Sequence, residues 1–187
     1  GSEMCIRDSI TLVGDIIKIT QMDDQQLPIQ REQLDLRALC ADVLDHLQPA
    51  ADSAGVHMTL EGESHWINGA RQIADEMVYN LCDNAIKYNR PGGTVWVRLE
   101  ARDAETVALS VEDTGIGIPE EHQSRVFERF YRVDKNRSRE IGGTGLGLSI
   151  VKHGALYHGA ALYLNSAPGV GTKITVVFPK QGPDPES

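Results

Sequence analysis

Asn80-Leu81-Cys82-Asp83-Asn84-Ala85-Ile86-Lys87-Tyr88 is the stretch whose reading decides the fold. At 3.6 residues per turn, Asn80, Asn84, Lys87 and Tyr88 fall on one face of a helix. Ile73, Met77, Val78, Leu81, Cys82, Ala85 and Ile86 form the opposite, apolar stripe. The periodicity therefore predicts a helix over 71–89 with one side buried in a core. Asparagine is a middling helix former, so two of them beside a lysine and a tyrosine read as a polar wall. An amide oxygen is a suitable Mg²⁺ ligand when phosphates and waters supply the other oxygens. A lysine one turn on can meet a phosphate as a point charge. The plainer alternative is a solvated helix face.

Pro91-Gly92-Gly93 breaks the chain after this helix. Alternation over 94–101 and 106–112 predicts a hairpin around Asp103-Ala104. Upstream, Leu36 to Ala54 reads as a helix with Asp35 as N-cap and Gly55 as its stop. Val56 to Glu61 reads as a strand, and Trp66-Ile67 as a short edge strand. Leu27-Pro28 starts an extended connector, preceded by the last turns of a helix from Ile10. Downstream, a short helix is expected over 120–127, a longer one over 146–158, and strands over 160–164 and 172–178. Irregular alternation of helices with hairpin strands predicts an α/β two-layer sandwich, a mixed sheet covered on one face by helices.

Two glycine motifs flank a long, weakly periodic segment. Val111-Glu112-Asp113-Thr114-Gly115-Ile116-Gly117-Ile118-Pro119 runs from a strand into an acidic residue and two glycines. Glycines let backbone approach a ligand closely, and a carboxylate at a strand end can accept from an exocyclic amine, which suits adenine. A capped Asp-Thr-Gly turn is the alternative. Gly142-Gly143-Thr144-Gly145-Leu146-Gly147-Leu148-Ser149 opens a helix, where free N–H groups and the positive helix end favour phosphate. It is neither a Walker A loop nor a dinucleotide fingerprint, and glycines used only for helix packing are the alternative. Between them, Val126-Phe127-Glu128-Arg129-Phe130-Tyr131-Arg132 holds two of the three phenylalanines. A connection this long in a compact domain reads as a lid. Arg132, Lys135, Arg137 and Arg139 give it a cationic end.

These four elements, in this order, resemble the catalytic ATP-binding domain of bacterial sensor histidine kinases. That domain has the Bergerat fold, shared with the gyrase, Hsp90 and MutL ATPases. Asn80–Tyr88 resembles the N box, Asp113–Gly117 the G1 box, Phe127–Phe130 the F box and Gly143–Leu148 the G2 box. The wording around 84–93 and 143–159 is similar to phosphate-responsive-type sensor kinases. The resemblance implies ATP and Mg²⁺ as cofactors, with Asn84 and Asn80 at the metal. It places Lys87 on phosphate, Tyr88 against the nucleotide and Asp113 on the adenine amine. Gly115, Gly117, Ile86, Ile118 and Thr172 would shape the base pocket. Gly143, Thr144, Gly145, Leu146, Gly147 and Leu148 would cradle the phosphates, and Lys135 and Arg132 would reach the γ-phosphate from the lid. His153 and His158 would be structural.

The resemblance divides the chain into an unplaced or tag segment (1–9), the end of a dimerisation helix with its linker (10–33), the catalytic domain (34–180) and a disordered tail (181–187). It implies γ-phosphoryl transfer to a histidine on a dimerisation domain, with a response regulator receiver domain downstream. The parent would be a homodimer in the bacterial inner membrane with this domain in the cytoplasm, and the fragment a monomer or weak dimer. None of the six histidines is followed by the acidic residue and proline of the family's phosphoacceptor motif. Autophosphorylation by this chain alone is therefore not expected. The alternatives are a regulatory pseudokinase module, or an ATPase switch. The latter is disfavoured because Asn80, not glutamate, stands one turn before Asn84. Asn89 replaces the serine or threonine of many relatives.

Composition agrees with this reading. A net charge of −9 without a Lys/Arg run disfavours nucleic acid as a partner. It also leaves a polyphosphate dependent on local donors and a metal. Cys5, Cys40 and Cys82 are scattered and odd in number, which suits reduced thiols rather than a disulfide framework or zinc site. No apolar run approaches the roughly 18 residues of a membrane span.

Overall fold

The computed structural model describes residues 30–131 and 147–182. The expected helix from Ile10, Arg132, Lys135, Gly143, Thr144, Gly145, Leu146 and the tail beyond 182 lie outside the described residues. In chain order the elements are β1 (Glu32–Asp35), α1 (Leu36–Ala54), β2 (His57–Glu61), β3 (Trp66–Gly69) and α2 (Arg71–Lys87). Then follow β4 (Thr94–Ala101), β5 (Thr106–Asp113), α3 (Glu120–Gln123), α4 (Gly147–His158), β6 (Ala161–Ala167) and β7 (Gly171–Pro179).

Five strands form one mixed sheet in the order β2-β4-β5-β7-β6. Only β2 and β4 are parallel. Alternation puts one side chain in two on the core face. Val97 lies opposite Val111, which lies opposite Ile174, and Leu99, Leu109 and Val176 form the next row. All six are buried, with Phe178 and the apolar stripes of α1 and α2 packed on them in one core. Each such side chain contributes about 1.5–3 kcal/mol on burial. The other face is polar: Arg98 pairs with Glu61 and Glu112 and stacks over Trp96. The expected two-layer sandwich is the observed one.

Local chemistry sets the element ends. Asp35 Oδ1 accepts from the N–H groups of Arg37 and Ala38, and Gly55 takes the left-handed conformation at φ 68° that closes α1. An N-cap of this kind is worth about 1 kcal/mol. Helix α2 stops at Lys87, two residues short of the expected end. There the Asn89 side chain accepts from the Arg90 N–H and donates to the Thr94 carbonyl, offering the backbone an alternative to another helical turn. The expected extended connector includes a strand, β1, paired antiparallel with β3. Helix α3 ends at Gln123, and the chain continues in tighter turns to Phe127.

Helices α2 and α4 run antiparallel and very close. A Cβ on Gly154 would lie 2.4 Å from Met77 Cγ, so any side chain there would force Met77 aside or the helices apart. At one end the buried His158 ring donates from Nδ1 to the Gly154 carbonyl and accepts the Ala70 N–H at Nε2. Burial pushes its pKa below the ordinary histidine value, and the ring stays neutral. At the other end the crossing sets Gly147 beside Asn80 and Asn84.

Candidate nucleotide site

The site is built where the C-terminal half of α2, the end of β5 and the start of α4 converge. Asn80 donates from Nδ2 to the Glu76 carbonyl at 2.7 Å, which turns its Oδ1 outward. That oxygen lies 3.2 Å from where a Gly147 Cβ would stand, and Asn84 Oδ1 lies 3.7 Å from the same point. The missing side chain at 147 thus leaves open a cradle bordered by two neutral amide oxygens. The Asn84 side chain has no hydrogen-bond partner among the described residues. Hard amide oxygens of this kind suit Mg²⁺ when phosphates complete the shell. Among the described residues no group of three His, Cys, Asp or Glu could hold a metal by itself.

About the other end, Asp113 closes β5. Its Oδ1 accepts the N–H of Gly115 at 2.8 Å and of Thr172 at 3.2 Å. Oδ2 has no hydrogen-bond partner among the described residues, so the carboxylate is aimed and half used. Burial pushes its pKa up to about 6 against the two accepted bonds, which pull it down. It is a carboxylate at neutral pH, held where an amine donor would relieve its desolvation.

The glycines around Asp113 answer to close backbone contacts. A Cβ at Gly115 would meet the Tyr88 carbonyl at 2.3 Å, and the next residue, Ile116, donates its N–H to that same oxygen. Gly117 has φ 72°, and its Cβ would meet the Ala167 carbonyl at 2.1 Å. The loop after Asp113 is therefore wedged between the end of α2 and the β6–β7 turn. Ser166 locks it from the second side: its Oγ accepts the Ile118 N–H, donates to the Gly171 carbonyl and meets the Thr172 hydroxyl at 2.8 Å. Since Ser166 has one proton and gives it to Gly171, Thr172 donates in that pair and faces its surroundings as an acceptor.

Not every expected residue stands free at the site. Lys87 Nζ is paired with Asp83 Oδ2 at 2.9 Å, so meeting a phosphate requires exchanging that partner. Ile86 is 3% exposed and lies in the core stripe of α2. Tyr88 caps α2 and contributes its carbonyl to the loop. Leu148 packs against the core. His153 contacts Arg129 of the lid segment at 3.2 Å, whereas His158 is fully structural.

Several residues escaped the sequence reading. Ser166 sits in a strand with no motif around it. Gly171, with φ 146°, lies within 1.9 Å (as a built Cβ) of the Asp113 carbonyl. Thr114 Oγ1 accepts the Thr94 N–H and donates to Asn89 Oδ1. Arg90 Nη2 donates to the carbonyls of Gly115 and Gly169. Gly171, beside the noted Thr172, and Thr114, inside the Asp-Thr-Gly motif, carried a visible signal.

Residues 69–182 match the family model described as histidine kinase-, DNA gyrase B- and HSP90-like ATPase. The chain is 36% identical over 181 residues to the sensor-like histidine kinase SenX3 of Mycolicibacterium smegmatis, covering 94% of this chain and 46% of that protein. It is 32% identical to the sensor histidine kinase WalK of Bacillus subtilis, covering 91% of this chain and 28% of that one. The chain thus spans less than half the length of these curated relatives. A solved structure of the mycobacterial sensor histidine kinase MprB superimposes with a TM-score of 0.70 at 32% identity, covering 82% of this chain and 99% of that one. The four ordered boxes, the sandwich that carries them and these likenesses have one common reading: this chain belongs to the histidine kinase-, DNA gyrase B- and HSP90-like ATPase family, in the branch formed by the ATP-binding catalytic domains of sensor histidine kinases.

Proposed function

We propose that this chain binds Mg·ATP and, as the catalytic half of a sensor histidine kinase, delivers the γ-phosphoryl group to a histidine on a dimerisation domain. The observation that carries the reading is the Asp113 carboxylate, one oxygen fixed by two backbone N–H groups and the other without a partner among the described residues. Asp113 would accept from the adenine amine, with Thr172 beside it as a further acceptor. Asn84 and Asn80 would hold Mg²⁺ on the phosphate side, where α4 begins. Bound Mg²⁺ would neutralise charge on the phosphate oxygens and orient them.

Catalysis by this chain is then positioning and electrostatics, as in phosphoryl transfer generally. The incoming nucleophile would be a histidine Nδ1 or Nε2 of the dimerisation domain, forming the N–P bond as the bond from the γ-phosphorus to the bridging oxygen breaks. ADP leaves with that oxygen. The lid's Arg132 and Lys135, and the glycines at 143 and 145 with Thr144 and Leu146, keep their proposed phosphate-facing roles. The receiver domain of a response regulator is the proposed downstream partner, and a homodimeric, membrane-bound parent is the proposed setting. No helix among the described residues is long and apolar enough to cross a membrane. Position 80 is asparagine, and Glu76 lies a further turn back with its carbonyl bonded to Asn80. Among the described residues no carboxylate therefore stands one turn before Asn84 to activate water, which favours transfer to histidine.

The test has two stages. Calorimetric titration with ATP, with and without Mg²⁺, should give saturable binding that Asn84→Ala weakens only when Mg²⁺ is present. Mixing with the dimerisation domain of a close relative should then give phosphohistidine on that domain. Binding without any phosphohistidine, across several such domains, would move the regulatory-module reading forward.

A further inference from the structure

We propose that Arg90 is a positioning residue that sets the base preference of this site, an inference that rests on the ATP-binding reading above. The Asp113 carboxylate is aimed by two N–H groups from different segments: Gly115 in the loop after β5, and Thr172 at the start of β7. Arg90 holds both segments with one nitrogen. Its Nη2 donates to the Gly115 carbonyl at 3.1 Å and to the Gly169 carbonyl at 2.8 Å. The first acceptor belongs to the same residue that donates to Asp113. The second lies three residues before Thr172 in the turn that leads into it.

The main chain of Arg90 is itself fixed just beyond the end of α2. The Arg90 N–H donates to Asn89 Oδ1, and Asn89 in turn receives the Thr114 hydroxyl and donates to the Thr94 carbonyl. The helix that carries the two amide oxygens is thereby tied through Asn89 and Arg90 to both segments that orient the carboxylate. Backbone contacts alone leave this linkage looser: Gly169 N–H to the Ile116 carbonyl joins loop to turn, and Ile116 N–H to the Tyr88 carbonyl joins loop to helix. No one of them spans the three elements. A lysine ammonium is a rotatable point charge and lacks the fixed planar N–H geometry with which Arg90 Nη2 holds the two carbonyls. Arg90 is exposed and lies outside the core, so its loss should spare the fold.

The experiment compares ATP with inosine triphosphate, which carries a carbonyl oxygen in place of the amine, in competition binding against a labelled ATP. Wild type, Arg90→Ala and Arg90→Lys are measured alongside their melting temperatures. Arg90→Ala should weaken ATP by about tenfold, the scale of one or two charge-assisted hydrogen bonds at a partly exposed site. It should leave inosine triphosphate unchanged, so the ATP preference falls by the same factor, and Arg90→Lys should recover part of it. An unchanged ATP affinity in Arg90→Ala overturns the inference while the ATP reading stands. Equal weakening of both nucleotides overturns it too, since that is the signature of general structural damage. Failure of the folded wild type to bind ATP overturns the reading on which it rests, and the inference with it.

Discussion

Replacing Asp113 by asparagine should stabilise the empty domain and cripple its ATP binding. The carboxylate's pKa is raised by burial from 3.8 to about 6. A group whose pKa is higher folded than unfolded binds more protons in the folded state, so its charged form opposes folding as pH rises through that window. At 1.36 kcal/mol per pH unit, the cost above pH 6 is on the order of 3 kcal/mol. It is roughly halved at pH 5 and gone below pH 4. Asparagine keeps an oxygen where Oδ1 accepts from Gly115 and Thr172, though a neutral acceptor forfeits about 1 kcal/mol of charge assistance. The net gain at pH 8 is then about 1–2 kcal/mol, or a melting temperature higher by roughly 3–6 °C for a domain of this size. The same change turns an acceptor at Oδ2 into a donor facing the adenine amine. ATP affinity should fall by about 10–100-fold. Thermal melts without nucleotide at pH 8 and pH 5, followed by calorimetric titration with Mg·ATP at pH 8, read both effects. A variant that melts below wild type at pH 8, or binds ATP as tightly, would refute this account of the carboxylate.

Wild-type ATP affinity should itself decline as pH drops below about 6, where Asp113 gains its proton, while Asp113→Asn shows a flat profile between pH 5 and 7 in the same titration. Gly117→Ala should lose binding and about 1–3 kcal/mol of stability, since φ 72° and the Ala167 carbonyl at 2.1 Å both exclude a side chain; denaturant melts measure the loss. Gly154→Val should cost roughly 2–3 kcal/mol by overpacking against Met77. Because it separates α4 from Asn80 and Asn84, Mg²⁺-dependent ATP affinity should fall with it, and an unaltered Mg²⁺ dependence in the folded variant would contradict the shared cradle.

Much of the fold was legible because period and punctuation agree locally. Helix α1 was readable from Leu36 to about Ala54, since Asp35 and Gly55 are strong end signals whose side chain and backbone act within a few residues. The β4–β5 hairpin was readable for the same reason: strict alternation and a short Asp-containing turn. Strand β1 was not, because four residues with one buried side chain carry no periodic signal and exist as a strand only by pairing with β3. The early end of α2 depended on Thr94, which folds back on Asn89 from the next strand.

At the site, the sequence by itself determined the residue types and their order: two asparagines one turn apart, an aspartate ending a strand before two glycines, and a glycine-started helix. Helix and strand periods alone put those groups on defined faces. Which of their atoms stayed free was decided within α2 for Asn80 and Lys87, and by the tertiary structure for Asp113. Asn80 is oriented by the Glu76 carbonyl, Asp113 by N–H groups 2 and 59 positions away, and Lys87 is held by Asp83. Ser166 and Arg90 entered the site in the same way, through contacts of 48 and 79 residues' separation. Hydrogen-bond partners that distant are set by how sheet and helices pack, and no local period encodes them.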